Sequence, residues 1–458
     1  MSIRRILVAN RGEIAVRIIR TCRELGIQTV LTVSEADRDS VPARLADRTL
    51  CIGPARPTDS YLKVGTIVQA ALGAGADAIH PGYGFLSENA GLARLCEQND
   101  VIFIGPTAVQ IEAVGDKLRA RSEAQAADVP VVPGGAVESL ESAVSLAESI
   151  GFPILVKAVG GGGGRGMKRV DRLEDLPNML ELAASEAGAA FGDARVYLEC
   201  FVTRGRHVEV QVLGDGAGEV IHLGERDCSV QRRYQKVIEE TPAPGLSPEF
   251  RSRLHEAALR FTRRLRYRGA GTVEFLVDVD RERFYFLEMN ARIQVEHPVT
   301  EAVTGVDLVA EQIAIAAGAG LRLSQADVDP RGCAIECRVN AEDPTRGFQP
   351  SPGVVFDAEW PSGAGIRVDT HIASGSRVPP FYDSLMAKVI VHAPDRRSAL
   401  ERMRQAIAGT RISGVATNLA FHTAVLGDSE FQTGGVDTGF LARLLERSPM
   451  SPEGTARG

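Results

Sequence analysis

Pro153-Ile154-Leu155-Val156-Lys157-Ala158-Val159-Gly160-Gly161-Gly162-Gly163-Gly164-Arg165-Gly166-Met167-Lys168-Arg169-Val170 is the stretch on which the fold turns. Its apolar opening, Pro153 to Ala158, reads as a buried strand, and Met167 to Val170 reads as a second strand after the glycine run. Gly161, Gly163 and Gly166 formally spell G-x-G-x-x-G, but a strand and not a helix follows, which argues against a dinucleotide-binding turn. A P-loop is excluded as well, because Met167 stands where that motif needs Lys. What remains is a strand-loop-strand cover whose backbone N–H groups close on phosphate oxygens with no side chain in the way. Lys157, at the mouth of the run, is placed to reach those phosphates. A flexible linker is the competing reading.

Around this flap the chain divides into three parts. Residues 1–115 alternate strand and helix patterns (a strand at Ile6 to Asn10, a helix through Ile14, Ile18, Cys22 and Leu25, a strand at Thr29 to Ser34, then a second such unit to Ile104), so an open α/β domain is expected. The loop after the first strand, Asn10-Arg11-Gly12-Glu13, lacks a dinucleotide fingerprint, which disfavours a nicotinamide enzyme. Residues 121–317 form the middle part, with a lid at about 130–203. Residues 333–441 alternate short strands with Pro/Gly turns and are expected to be mainly antiparallel β. The tail 448–458 is expected to lack structure.

A second constellation lies in the hairpin from Gly271 to Asn290. With Asp280-Arg281-Glu282 as the turn, Glu274 falls opposite Glu288, and Asn290 shares that face two residues on. Like charges directly opposed destabilise a sheet, so this pair calls for a cation. Mg²⁺, a hard ion that takes oxygen ligands and leaves positions open for phosphates, fits; an exposed, tolerated pair at a slipped register is the alternative. Flap and metal together point to ATP chemistry. Downstream, Arg292, Glu296 and Arg338 offer two anion-binding guanidinium groups and a general base. His207 and His297 read as structural, and no zinc-type histidine spacing occurs. The polar stretch from Glu225 to Lys236 reads either as a solvated loop or as part of a site.

Composition narrows the field. Of 458 residues, 44% are hydrophobic and 24% charged, with a net charge of −7, as expected for a folded protein without a global basic field for nucleic acid or anionic membrane. No apolar run reaches the ~18 residues of a membrane span, and the N-terminal apolar run is shorter than a signal core, so a cytoplasmic location is expected. Seven scattered cysteines without a CxxC are expected to be free thiols, Cys333 and Cys337 among them as buried fillers. Among the 52 basic residues only six are Lys: Lys63, Lys117, Lys157, Lys168, Lys236 and Lys388. Lys survives best where one compact charge must meet one oxygen, so these six either mark such sites or are remnants of codon bias.

Ala9-Asn10-Arg11-Gly12-Glu13-Ile14-Ala15, His80-Pro81-Gly82-Tyr83-Gly84-Phe85-Leu86-Ser87-Glu88-Asn89, the glycine run, the stretch 225–236 and Glu288-Met289-Asn290-Ala291-Arg292-Ile293-Gln294-Val295-Glu296-His297-Pro298 together resemble the biotin carboxylase family of ATP-grasp enzymes. The resemblance spans about residues 2–447 with the motifs in family order. It implies an N-terminal α/β domain, an ATP-grasp domain with a mobile glycine-rich lid, and a C-terminal antiparallel domain.

It also implies ATP contacts at Lys117, Lys157, Gly163, Gly164, the hinge Glu199, Cys200, Phe201 and Val202, His207, Tyr234, Glu274 and Glu288, with Mg²⁺ or Mn²⁺ at Glu274, Glu288 and Asn290. Lys236, Arg292, Val295 and Arg338 would hold bicarbonate, Glu296 would act as base, and Tyr83, Gln294 and Arg338 would sit near biotin. The family joins phosphate from ATP to bicarbonate, and the resulting carboxyphosphate releases CO2 beside biotin, whose enolate Arg338 would stabilise. The chain departs from the family pattern with Tyr234 for His, Ala291 for Thr and Cys200 for Lys; the hinge contact is expected through backbone. A biotin-attachment Met-Lys-Met is absent, so a biotin carboxyl carrier protein and carboxyltransferase subunits are expected as separate partners, along with a homodimer, in acetyl-CoA or related acyl-CoA carboxylation. Another ATP-grasp ligase and a non-catalytic ATP-binding protein are the competing functions.

Overall fold

A computed structural model describes residues 3–160 and 167–450, leaving aside the side chain of Phe191. Gly163 and Gly164, and the tail from Ser451 onward, lie outside the described residues.

The first part is a five-stranded parallel sheet in the spatial order Arg48–Cys51, Gln28–Val33, Arg5–Val8, Ala78–His80 and Ile102–Phe103. Its strand direction of growth reverses between Arg5–Val8 and Ala78–His80, and in open α/β sheets that switch point opens a crevice at the carboxyl ends of the strands. The loop Asn10–Glu13 and the turn at Pro81 to Phe85 leave the sheet there. Asn10 clamps them together, donating from Nδ2 to the carbonyls of Pro81 and Tyr83, both at 2.7 Å.

The lid is a four-stranded sheet ordered Gly134–Ala136, Val196–Cys200, Ile154–Ala158 and Lys168–Val170. Ile154–Ala158 and Lys168–Val170 pair antiparallel, so the glycine run connects two adjacent strands as its flanks foretold. Ile154, Val156, Val170 and Leu198 close a small core under the helices Leu140–Ile150 and Leu176–Phe191.

The largest sheet has eight antiparallel strands: Arg283–Asn290, Arg268–Asp278, Gly205–Asp215, Val220–Arg232, Gln235–Thr241, Cys333–Asn340, Leu385–Ala393 and Ile366–Thr370. It runs unbroken across the boundary expected between 317 and 333, because Gln235–Thr241 pairs with Cys333–Asn340. The C-terminal part also carries the helices Arg396–Ala408, Leu419–Gly427, Ser429–Thr433 and Phe440–Arg447. The chain is thus mixed α/β, with parallel strands at the N-terminus and antiparallel sheets elsewhere.

Two expectations change. The stretch 225–232 is not a solvated loop: Val220–Arg232 is one long strand, and Glu225, Arg226, Asp227 and Ser229 are buried in it. Its polar residues pair within the protein, Arg226 with Glu209 at 2.6 Å and Asp227 with Arg206 at 2.5 Å, which is how charges survive burial. The hairpin turn is also longer than expected, since Asp278 pairs with Arg283 and leaves Val279 to Glu282 as the turn. A register shift after Glu274 restores Glu274 opposite Glu288 and Thr272 opposite Asn290.

Candidate active site

A cleft of about 710 Å³ opens where the parallel sheet's switch point, the lid and the large sheet meet. That volume suits a sizeable ligand together with a second, small one. Tyr83, Lys117, Lys157, Glu199, Cys200, Phe201, Val202, His207, Tyr234, Lys236, Glu274, Glu288, Asn290, Arg292, Gln294, Val295 and Arg338 all line it. Glu296 is fully buried and does not line the cleft; it is reached through Lys236 and Arg338.

On the lid side, Lys157 extends from Ile154–Ala158 to Glu199 of the neighbouring strand, Nζ to Oε2 at 2.8 Å. The other oxygen of Glu199 accepts from Arg121 at 3.1 Å, so its carboxylate is taken. Burial disfavours the charge of Lys157, but Glu199 outweighs it and holds the ammonium above its ordinary range.

On the large-sheet side, the ammonium of Lys236 meets three carboxylates, Glu209 at 2.5 Å, Glu274 at 2.8 Å and Glu296 at 2.7 Å. Burial again opposes the charge, and the three carboxylates hold it well above the ordinary lysine range. His207 stacks its charge against the same group, Nε2 lying 3.1 Å from Glu274; burial lowers its affinity for a proton, but Glu274 wins and raises it to about 9. Glu288 pairs with Lys117 at 3.2 Å. The cation that the opposed glutamates require is thus supplied here by ammonium groups and a histidine. The donor set Glu274, Glu288 and Asn290 remains all oxygen, as a hard divalent ion requires, and two carboxylates facing one another across the hairpin fit it.

Arg292 is fixed from four sides: Glu88 at 2.8 Å, Asn290 Oδ1 at 2.8 Å, Gln294 Oε1 at 2.8 Å and the carbonyl of Ile293 at 3.2 Å. Arg338 donates to Glu239 at 2.6 Å and to Glu296 at 2.8 Å. Burial pushes the Glu296 carboxyl up, and Lys236 with Arg338 and Arg226 holds it below the usual range. Its neighbour Glu239 goes the other way: burial outweighs Arg338 and raises it to about 7. Glu336, fully buried with no hydrogen-bond partner for either oxygen, is pushed well above the carboxylate range by burial.

Glu88, Glu209, Glu239, Gln231 and Lys388 were not among the sequence candidates. Glu88 and Gln231 lie inside quoted motifs and Lys388 among the six lysines, so each carried a signal; Glu209 and Glu239 sit in strands where polarity alone says nothing. Gln231 donates from Nε2 to His207 Nδ1 at 2.8 Å, fixing that ring. Tyr234 is exposed in a two-residue turn where it and Arg233 take left-handed φ of 66° and 47°, the backbone of a tight hairpin.

Among the described residues no helix is long and apolar enough to cross a membrane. All seven cysteines are free, with Cys333 and Cys337 buried.

Three family models cover nearly the whole chain: the biotin carboxylase N-terminal domain at residues 2–111, the ATP-binding domain of the carbamoyl-phosphate synthase L chain at 116–324, and the biotin carboxylase C-terminal domain at 336–443. "Biotin carboxylase 1" of Bacillus subtilis (strain 168) is 51% identical over 441 residues, 96% of this chain and 98% of that protein. The biotin carboxylase domain dimer of Hydrogenobacter thermophilus 2-oxoglutarate carboxylase, in complex with MgADP, ADP and bicarbonate, is 47% identical with a TM-score of 0.93 over 98% of each chain. A biotin carboxylase complex with β-γ-ATP from Campylobacter jejuni is 45% identical with a TM-score of 0.94, covering 96% of this chain and 99% of that one. With both flanking domains matched as well as the ATP-binding one, the chain belongs to the biotin carboxylase family and is an ATP-dependent ligase that carboxylates biotin.

Proposed function

We propose that this chain performs the first half-reaction of an acetyl-CoA carboxylase, carboxylating biotin on a separate carrier protein and so feeding malonyl-CoA and fatty acid synthesis. The supporting observation is the meeting of Lys157 from the glycine-flanked lid with Lys236, Arg292 and Arg338 from the large sheet in one cleft. Bicarbonate is a poor electrophile, so its oxygen first takes the γ-phosphoryl group of ATP and ADP leaves. The carboxyphosphate formed breaks into CO2 and phosphate, and the phosphate takes the ureido N–H proton as biotin attacks CO2.

Each residue has a part in this scheme. Lys117, Lys157, His207 and Tyr234 bind ATP with the lid backbone, and the hinge 199–202 holds its base. Glu274, Glu288 and Asn290 would hold Mg²⁺ or Mn²⁺, which neutralises charge on the phosphate oxygens. Lys236, Arg292 and the Val295 backbone orient bicarbonate, and Glu296 receives its proton. Arg338 faces the biotin enolate as a fixed cation, with Tyr83 and Gln294 beside the ring. The cell-level reading is a cytoplasmic homodimer working with a biotin carboxyl carrier protein and carboxyltransferase subunits.

The chemistry is tested by ADP release that depends on bicarbonate and rises with free biotin; no stimulation by biotin in folded, ATP-binding protein overturns it. The acyl acceptor is set by the carboxyltransferase, and the likeness to a 2-oxoglutarate carboxylase domain makes a keto-acid complex the rival. Reconstitution with the carrier and carboxyltransferase proteins of the same organism decides: malonyl-CoA from acetyl-CoA is expected, and carboxylation of 2-oxoglutarate or pyruvate alone overturns the acetyl-CoA assignment.

A further inference from the structure

Lys388 is fully buried on the strand Leu385–Ala393 and does not line the cleft. Its chain neighbours Ala387 and Val389 point to the opposite face of the strand and belong to the hydrophobic core there. Taking an ammonium group out of water costs several kcal/mol unless its donors are all used. Here the charge is met in a particular way: Nζ donates to the carbonyl of Val295 at 2.9 Å and forms ion pairs with Glu13 at 3.1 Å and Asp369 at 3.9 Å. The other oxygen of Glu13 accepts the hydroxyl of Tyr83, which lines the cleft.

The Val295 carbonyl belongs to the peptide plane that ends at the Cα of Glu296. A charge-assisted hydrogen bond to that carbonyl therefore sets the plane from which the Glu296 side chain departs. Lys236 and Arg338 hold the far end of that side chain. In cross-strand register Lys388 lies beside Arg338 on one side and Asp369 on the other, so two cations stand side by side with a carboxylate at the end of the row.

We propose that Lys388 is a positioning residue for the bicarbonate end of the cleft, holding the Val295–Glu296 peptide and, through Glu13, tying it to the N-terminal loop that carries Tyr83. This rests on the assignment of Val295 and Glu296 to bicarbonate and its proton. Lys388→Met, of similar length but without charge, is expected to raise the bicarbonate KM by about tenfold or more while the ATP KM stays within about twofold. Glu13→Gln, which keeps a hydrogen-bonding group but removes the charge, is expected to raise the bicarbonate KM by roughly threefold with ATP again unmoved.

A purely structural lysine would shift both KM values together or only the unfolding midpoint, and that result overturns the proposal. If Lys388→Met is folded but inactive, ATP binding by calorimetry decides, with wild-type affinity in favour and lost affinity against. If it does not fold, the Glu13→Gln split decides alone. Glu296→Gln and Arg292→Ala are measured alongside. Bicarbonate-dependent turnover surviving in both removes the underlying assignment, whereas its loss there with an unchanged bicarbonate KM in Lys388→Met removes only the role of Lys388.

Discussion

Lys157, buried, and Lys236, half-buried, are both ammonium groups on strands that line one cleft, yet they are held in opposite ways. Lys157, in the small lid sheet, faces a single carboxylate that Arg121 already shares. Lys236, in the large sheet, is the common partner of three carboxylates from three separate segments. At the lid two cations share one carboxylate, which leaves positive charge for an anionic ligand. At the large sheet three carboxylates crowd around one ammonium group, and Arg226, His207 and Arg338 each hold one of them from outside. The first arrangement suits reversible grip on a nucleotide under a cover; the second suits a site where protons and anions are exchanged and geometry must not drift.

The contrast is broken most directly at Lys236. Lys236→Met leaves three buried carboxylates without their shared cation, and loss of one partner of a buried pair costs about 3–5 kcal/mol. Urea unfolding is expected to register that loss, with bicarbonate-dependent ADP release falling below detection. Lys157→Met is expected to lower stability by only about 1 kcal/mol, since Arg121 stays on Glu199, while the ATP KM rises about tenfold or more. Equal stability losses in the two variants contradict the comparison.

A pH series sharpens it. Glu239, beside the crowded end, is raised to about 7 by burial. Between its unfolded value near 4.5 and that value the folded state binds the extra proton, so this group's contribution to stability is present below the window and is lost as pH rises through it. Glu239→Gln removes that slope, so the variant is expected to gain on the parent protein in urea midpoint from pH 5 to pH 8. A parent protein that gains on the variant as pH rises instead assigns Glu239 an ordinary, lowered carboxylate. The smallest effect is expected at Tyr234, which is exposed: Tyr234→His is expected to change the ATP KM by no more than about threefold.

Much of this was legible beforehand, for physical reasons that differ by region. The flap could be read because glycine between two apolar runs has few other uses, and the first sheet because its apolar runs alternate with helical spacing. The Glu274–Glu288 pairing followed from hairpin geometry, although a longer turn and a compensating register shift lie behind it. The strand through 225–232 was obscured because its polar residues fall on both faces and are buried by pairing with Glu209 and Arg206, partners that no local pattern reveals. Glu239 and Glu336 were hidden for the same reason, since a Glu in a strand carries no sign of what it faces. Of the scarce lysines, Lys117, Lys157 and Lys236 line the cleft and Lys388 donates to the carbonyl of Val295 behind it, while Lys168 makes a peripheral pair with Glu186.

The central claim is that the two cleft lysines are needed as compact point donors and not merely as positive charge. Lys157→Arg and Lys236→Arg, assayed for bicarbonate- and biotin-dependent ADP release, test it: a planar fork cannot meet three carboxylates from one point, so a loss of about 100-fold or more is expected at 236 and about tenfold at 157. Turnover near that of the parent protein in both variants would contradict the account.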